Sequence, residues 1–338
     1  MWESIPYNHF YGKLDELKKI VDDKKVGRIG SFHLPLSIPV AMGLEDIGGR
    51  GVFFSKYYKD FIMKAAQNQL VSQTDEQHFM ENHHVLSIEN GTAFYKFEDD
   101  PNIKLNLNWP MLLSANLTHI ITTKEIPELK RISNQVTVIP RAKNPLANMQ
   151  LIDRAWRAFT PVAFYVYSLR NTFDRAFVVD AVRVLPNYEQ VLETISVQSV
   201  ETLRKTVFFS AEDYSVNSQN SNMQLRSGGK QPEASIRYYA PDKIILEVES
   251  KKPAILIIAN NYDSRWRASV NGVASSIYRA NYAFQSVFIQ KTVTGQSEVV
   301  FTFHDPFLWG SHIFVLLGVC LILFGNHVYE IRLFWQKH

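Results

Sequence analysis

The sequence predicts an α+β protein, with a small N-terminal α/β domain, a C-terminal antiparallel β-sandwich and one C-terminal transmembrane helix. Three observations carry that expectation. Helical periodicity alternates with short apolar runs up to about residue 140. From Ala163 to His304 the chain becomes a series of short segments rich in β-branched and aromatic residues. From Phe307 to Phe324 no charged side chain occurs, and most residues are Leu, Ile, Val or Phe. At helical rise that run covers roughly 27 Å, close to the thickness of a bilayer hydrocarbon core.

In chain order, Leu14, Leu17, Ile20 and Val21 recur at helical spacing, so residues 13–24 read as an amphipathic helix. Arg28 to Leu34 alternates as a strand does. A proline- and glycine-containing loop follows, and residues 55–71 return to helical spacing through Tyr58, Phe61, Ile62, Ala65 and Leu70. Short strands are expected at Val85–Ile88, Ala93–Phe97, His119–Thr122 and Val136–Ile139. In the strand-rich half, AFYVYSL, AFVVDAVRVL, TVFFS, SIRYYA, KIILEVES, AILIIANNY, RASVNG, SVFIQKT and EVVFTFH read as strands, interrupted by one helix at Tyr188–Ile195. Asn271-Gly272 supplies the left-handed pair of a tight hairpin turn. The final strands fit a two-layer sandwich with one wet face per sheet. The expected division is 1–140 for the α/β domain and 141–234 for a strand-rich connection with a polar loop at 217–233. Residues 235–305 are then sandwich strands packing with 163–210, residues 306–328 the transmembrane helix and 329–338 a cytoplasmic tail.

Composition narrows the function classes. A net charge of +3 over 338 residues, with no Lys/Arg-rich tract, lacks the footprint of a nucleic-acid binder. The only cysteine is Cys320, inside the apolar run, so no disulfide can form within the chain. Thiol catalysis and a Cys-based zinc site are disfavoured for the same reason. Trp309 at one end of the run, and Tyr329 and Trp335 beyond the other, suit the headgroup level. The first residues, MWESIPYNHFYGKLDELKKI, do not read as a signal peptide. Arg332 and Lys337 nevertheless favour a cytoplasmic tail and an exterior body. The two observations conflict, and two arrangements remain open: a C-terminal piece of a longer polytopic protein, or a tail-anchored protein with a cytosolic body.

Several groupings invite chemistry. His78, His83 and His84, with Glu76 and Glu81, form the densest histidine cluster, but lack the i, i+4 pairing of a zinc-protease helix. Glu98, Asp99 and Asp100 lack the alternating ligands and central glycine of a calcium loop. Gly48, Gly49 and Gly51 around Arg50 suggest either a tight turn or a backbone anion cradle without a phosphate-loop Lys-Ser/Thr pair. Asn90-Gly-Thr and Asn116-Leu-Thr match the glycosylation triplet. The richest set is Tyr262, Arg265, Trp266, Tyr278, Asn281 and Tyr282: aromatic faces with amides nearby can stack on sugar rings. Trp266 and Tyr282 would otherwise fill the sandwich core. No catalytic residue, metal ligand or cofactor is assigned.

The block NNYDSRWRASVNGVASSIYRANYAFQSVFIQ, then EVVFTFHDPFLWG and the apolar run, resembles the C-terminal end of YfhO-type bacterial membrane proteins. The matching positions are Tyr262, Trp266, Val270, Asn271, Gly272, Ile277, Ala280 and Asn281. The pattern departs at Arg265, where the family has Gly before Trp, and at Ser264, where Pro is common. Upstream, RIGSFHLPLSIPVAMGLEDIGGRGVFFSKYYKDF, LLSANLTHIITTKEIP and RNTFDRAFVV are similar to family segments in the same order.

The resemblance implies the extracytoplasmic C-terminal region and last helix of a membrane glycosyltransferase that uses polyprenyl-phosphate sugars, without its catalytic membrane core. The partners implied are a polytopic membrane protein or missing N-terminal membrane helices, the lipid bilayer and cell-envelope glycan, with no nucleic acid. Upstream helices would also explain an exported body. Three readings follow: an accessory region of such an assembly, a membrane-anchored binding or scaffold module without chemistry, and an enzyme in its own right. The third lacks a nucleophile elbow, zinc motif or nucleotide fingerprint, although paired glycosidase carboxylates leave no spacing signature.

Overall fold

The computed structural model describes residues 19–20, 27–32, 43–48, 55–69, 105–122, 125–140, 163–213, 232–290, 295–305, 314–322 and 324. These form a mixed α+β fold with mostly antiparallel sheets. The helix expected at 13–24, the strands at 85–88 and 93–97, the polar loop at 217–233 and residues 306–313 fall largely or wholly outside this set.

The first sheet has the order β1 (Arg28–Phe32), β2 (Leu117–Thr122), β4 (Ala163–Leu169) and β3 (Ser133–Pro140). β1 runs parallel to β2, whereas β2 and β3 are antiparallel to β4. β4 alternates cleanly: Phe164 and Val166 join a small cluster with Ile29 and Ile121, while Tyr167 and Leu169 face the main core. Helix α1 (Lys56–Ala66) buries Tyr58, Phe61, Ile62, Ala65 and Ala66, the stripe that helical spacing demands. Around it lie α2 (Trp109–Ser114), begun by the Asn108 cap, and the short α3 (Pro127–Arg131).

The run AFVVDAVRVL, expected as one strand, divides at Asp180 into β5 (Ala176–Val179) and β6 (Ala181–Leu185). β5 pairs with β10 (Ala254–Asn261), and β6 runs parallel to β7 (Thr206–Ser210). Between β6 and β7 lie two helices rather than one: α4 (Tyr188–Ser196), capped by Asn187, and α5 (Val200–Lys205), capped by Ser199. The second helix buries only Leu203, too small a stripe to register as periodicity.

The remaining strands build two sheets that share a core. The four-stranded one has the order β13 (Tyr278–Ala280), β14 (Phe284–Ile289), β10, β5. The five-stranded one has the order β12 (Val273–Ser275), β11 (Trp266–Val270), β15 (Gln296–Phe303), β9 (Lys243–Glu249), β8 (Glu233–Tyr239). Leu246, Val248, Leu256, Ile258, Val287, Val299 and Phe301 pack between them. β9 and β15 alternate buried and outward residues, so the five-stranded sheet has one wet face, as expected. The four-stranded sheet departs from expectation. Ile255, Ile257, Ala259, Phe284 and Val179 on its other face join the helices and the first sheet in the main cluster. It is buried on both faces, which explains the unbroken apolar run AILII in β10. Of the run 163–210, β5 alone enters these two sheets, and β4 pairs in the first sheet.

Asn271 (φ 51°) and Gly272 (φ 78°) form the left-handed pair of the β11–β12 hairpin. Among the described residues no helix is long and apolar enough to cross a membrane. Residues 314–322 are helical, with Phe314, Leu316, Leu321 and Ile322 exposed.

A polar joint ties the first sheet to the other two. Arg175, 4% exposed, donates from Nη2 to Glu45 Oε2 (2.6 Å) and to Tyr239 Oη (2.6 Å), and from Nε to Asn260 Oδ1 (2.7 Å). Arg28 Nε lies 3.8 Å from the same Glu45 carboxylate. Burial would raise the Glu45 pKa, but Arg175 and Arg28 hold it below the usual carboxylate range. Next along the chain, Asp46 accepts from Ser31 Oγ (2.9 Å) and the Gly48 N–H (2.7 Å). Part of that residue is exposed, yet its carboxyl group lies deep, and loss of water pushes its pKa up to about 6 against both hydrogen bonds. A raised folded value makes the Asp46 contribution complete below its ordinary 3.8 and lost as pH rises through about 6. The Glu45 contribution runs the other way, being lost as pH falls below its ordinary 4.5. Urea unfolding of wild type and Asp46→Asn from about pH 4 to about pH 7 therefore has a defined outcome. The variant gains stability relative to wild type across that interval, and the difference levels off above it. A difference independent of pH would mean that Asp46 does not titrate there.

Candidate functional site

The β13–β14 turn is the most constrained backbone among the described residues. Asn281 (φ 45°) and Tyr282 (φ 72°) are consecutive left-handed residues, and neither is glycine. For a bulky side chain such as tyrosine that conformation costs on the order of 1–3 kcal/mol and persists only where its surroundings over-determine it. The surroundings here do so. Asn281, 1% exposed, donates its N–H to Phe208 O (2.9 Å), and its Oδ1 accepts from Phe208 N (2.9 Å), so one residue imitates a paired strand for β7. Tyr282 Oη donates to Asp60 Oδ2 on α1 (2.8 Å), and Tyr262 N donates to Ala283 O (2.8 Å). Burial, then the Asp60 carboxylate, pushes the Tyr282 hydroxyl well above the ordinary phenol range.

Arg279, on edge strand β13, extends its guanidinium among three tyrosines. Its Cζ lies 3.5 Å from the Tyr57 ring centroid, 4.5 Å from Tyr188 and 4.7 Å from Tyr262. Tyr57 is also 5.4 Å from Tyr188 and 5.5 Å from Tyr282, both at tilted or edge-on angles. The cation thus meets several negative π-faces. Asp213 Oδ2 approaches Arg279 Nε at 3.5 Å as an ion pair. Nε and Nη1 of Arg279 are nonetheless buried without a hydrogen-bond acceptor, as is Asn281 Nδ2 without its own. Tyr188 Oη is buried beside the Asp213 carboxylate. Burial first, and Asp213 second, push its ionisation far above the phenol range. Chemically the cluster offers aromatic faces, fixed donors and one exposed carboxylate.

This arrangement divides the sequence-derived set. Tyr262, Asn281 and Tyr282 come together at the turn. Tyr282 fills the main core rather than the space between the two paired sheets. Tyr278 packs against Phe209 and Phe288. Trp266 packs against the core between the two sheets and meets Phe303 at 5.4 Å. Arg265 stacks on Phe303, 4.7 Å to the centroid, and is locked to Asp263 by Nη2 at 2.6 Å from Oδ2. Arg265 and Trp266 therefore form a separate group on β11 and its preceding turn. Tyr57, Tyr188, Asp213 and Arg279 were absent from the expected set. Arg279 lies between two residues of that set, but nothing local links it to tyrosines more than ninety residues upstream.

The other groupings resolve in part. His78, His83, His84 and Glu98–Asp100 lie outside the described residues, as do Gly49, Arg50 and Gly51. The Gly48 N–H is already engaged by Asp46. Asn116, whose Asn-Leu-Thr triplet matches the glycosylation pattern, is 1% exposed and donates from Nδ2 to Phe173 O (2.8 Å), so it is closed to modification in the folded chain. No family model, curated protein or solved structure matches this chain.

The turn makes a graded prediction. Asn281→Ala strands the buried Phe208 N–H and keeps the left-handed backbone, at a cost of about 2–4 kcal/mol. Tyr282→Phe loses one hydrogen bond to a carboxylate, at about 1–2 kcal/mol. Urea unfolding should rank the two in that order, and equal costs would remove the special role given to Asn281.

Proposed function

We propose that this chain is the extracytoplasmic accessory or acceptor-binding region of a YfhO-like membrane glycosyltransferase assembly that uses polyprenyl-phosphate sugars. It is held to the bilayer by the helix that follows the last strand. The observation that carries this reading is the helix at 314–322. Phe314, Leu316, Leu321 and Ile322 expose 76%, 64%, 71% and 66% of their surface, and Val315 and Leu317 are exposed as well. Burying a side chain of this kind is worth about 1.5–3 kcal/mol, so a helix apolar all round suits lipid far better than water. The charge-free run of the sequence extends on both sides of these residues, from Phe307 to Phe324. The residues resembling the family's final strands lie in β10 to β15, which read as a β-sandwich leading into that anchor. The small α/β unit formed by β1 to β4 and its helices then sits on the sandwich, farther from the anchor in sequence. A polytopic partner, or membrane helices upstream, would deliver the body to the outer side.

The test combines extraction and shaving of a chain expressed from its native locus. The full chain should stay in the membrane pellet after alkaline carbonate, and a chain ending at Asp305 should leave it. Protease added to intact spheroplasts should digest the body and spare the anchor. Protection of the body until lysis would place it in the cytosol and overturn the glycosyltransferase reading.

A further inference from the structure

The end of the five-stranded sheet from which the chain departs defines an interaction surface. We propose that Trp266, Phe303, Arg265, Arg267 and Lys243, at that end, rest on the phospholipid headgroups of the bilayer that takes the apolar helix. The body then stands at a fixed height and orientation instead of swinging on a tether. This rests on the membrane anchor of the reading above, but not on its glycosyltransferase part or on which side of the bilayer the body lies.

Chain length sets the distance. β15 ends at Phe303 and the charge-free run begins at Phe307, with His304, Asp305 and Pro306 between them. Four residue steps cover at most about 14 Å, even fully extended. The headgroup layer on each side of the hydrocarbon core is about 5–7 Å thick. With Phe307 at the hydrocarbon boundary, Phe303 lies within that layer or less than about 10 Å above it.

Strand register identifies what else lies there. Trp266 is opposite Phe303, and one step further in, Arg267, Thr302 and Lys243 form a row across β11, β15 and β9. The Phe303 N–H donates to Asp242 O (2.8 Å) and the His304 N–H to Arg265 O (3.0 Å), which draws the turns before β9 and β11 to the same end. Trp266 and Phe303, 5.4 Å apart, are both only partly buried. Trp266 packs against the core between the two sheets, whereas Arg267 and Lys243 are exposed. A half-buried indole beside exposed Arg and Lys side chains suits a membrane–water interface. The amphipathic ring sits at headgroup level, and the long cationic stems reach the phosphates.

Charge narrows the partner further. Asp263 is held by Arg265 at 2.6 Å, and Asp305 lies 4.0 Å from the same guanidinium. Arg267 Nη1 instead donates to the carbonyls of Ser264 (2.6 Å) and Trp266 (3.0 Å), bonds that do not neutralise its charge. Lipid phosphate oxygens supply that anion. Asp242, Asp263 and Asp305 stand among the cations, so the surface suits zwitterionic headgroups and needs no anionic lipid.

The experiment uses the full chain with Cys320→Ala, reconstituted in phosphatidylcholine vesicles, with a nitroxide at Lys243→Cys, Arg267→Cys or Lys251→Cys. Lys251 is exposed and follows the far end of β9, about 25 Å from Lys243. Each replaced lysine or arginine is exposed, so urea midpoints can confirm that the labelled chains are folded. Nickel-chelating lipid headgroups should relax the labels at 243 and 267 about fivefold more strongly than the label at 251. In the unlabelled chain, the emission that Trp266→Phe removes should be quenched by brominated phosphatidylcholine. Adding phosphatidylglycerol should change neither result. Equal relaxation of the three labels, an unquenched Trp266, or a contact that appears only with the anionic lipid would each overturn the proposal. A chain that leaves the membrane in alkaline carbonate would reject the anchor and this surface together. A chain that stays, with its three labels relaxed alike, would reject this surface alone.

Discussion

Everything in this fold depends on one sheet being covered on both sides. The four-stranded sheet β13-β14-β10-β5 gives one face to the five-stranded sheet and the other to the helices and the first sheet. Ile255, Ile257 and Ala259 of β10 look one way, and Leu256 and Ile258 the other. Among the described residues, the other face of the first sheet carries the smaller cluster of Ile29, Ile121, Ile139, Phe164 and Val166, and that of the five-stranded sheet is wet. A register slip of one residue in β10 would exchange its two faces, and the two cores would lose their complementary shapes together. The edge of this central sheet is β13, and the Arg279 cluster is built there, where an edge side chain can reach helices packed on the covered face.

Much of this was legible in the sequence because much of it is periodic. β9 and β15 alternate, α1 repeats at helical spacing, and Asn271-Gly272 forms the expected turn. Periodicity was silent where a segment is buried all round or changes partners. The uniform run in β10 gave no hint that its faces belong to different cores. Asp180 looked like a polar position within one strand, whereas it divides β5 from β6 and sends them to different sheets. The first sheet recruits β4 from the strand-rich half, a pairing decided by long-range contacts rather than by local pattern.

The same limit explains the fate of the aromatic set. Tyr262 and Trp266 are four positions apart, but the chain passes between them from the four-stranded to the five-stranded sheet. It returns between β12 and β13. Closeness in sequence therefore grouped residues that the topology separates. Distance in sequence hid Tyr57, Tyr188 and Asp213, which reach Arg279 from helix α1, helix α4 and the turn after β7. Asn281 and Tyr282 were visible as residue types, but their left-handed backbone was not, since neither is the glycine that usually announces it.

The position of β15 has a mechanical consequence. It is the central strand of its sheet, flanked by β9 and β11, and the chain leaves its end at Phe303 towards the apolar helix. Tension applied at that end along the strand axis enters the body through its middle strand. Both flanking hydrogen-bond ladders then resist together in shear, whereas an edge strand would peel away one bond at a time. The folded body is gripped by its middle, so a load on the helix is shared across the whole five-stranded sheet.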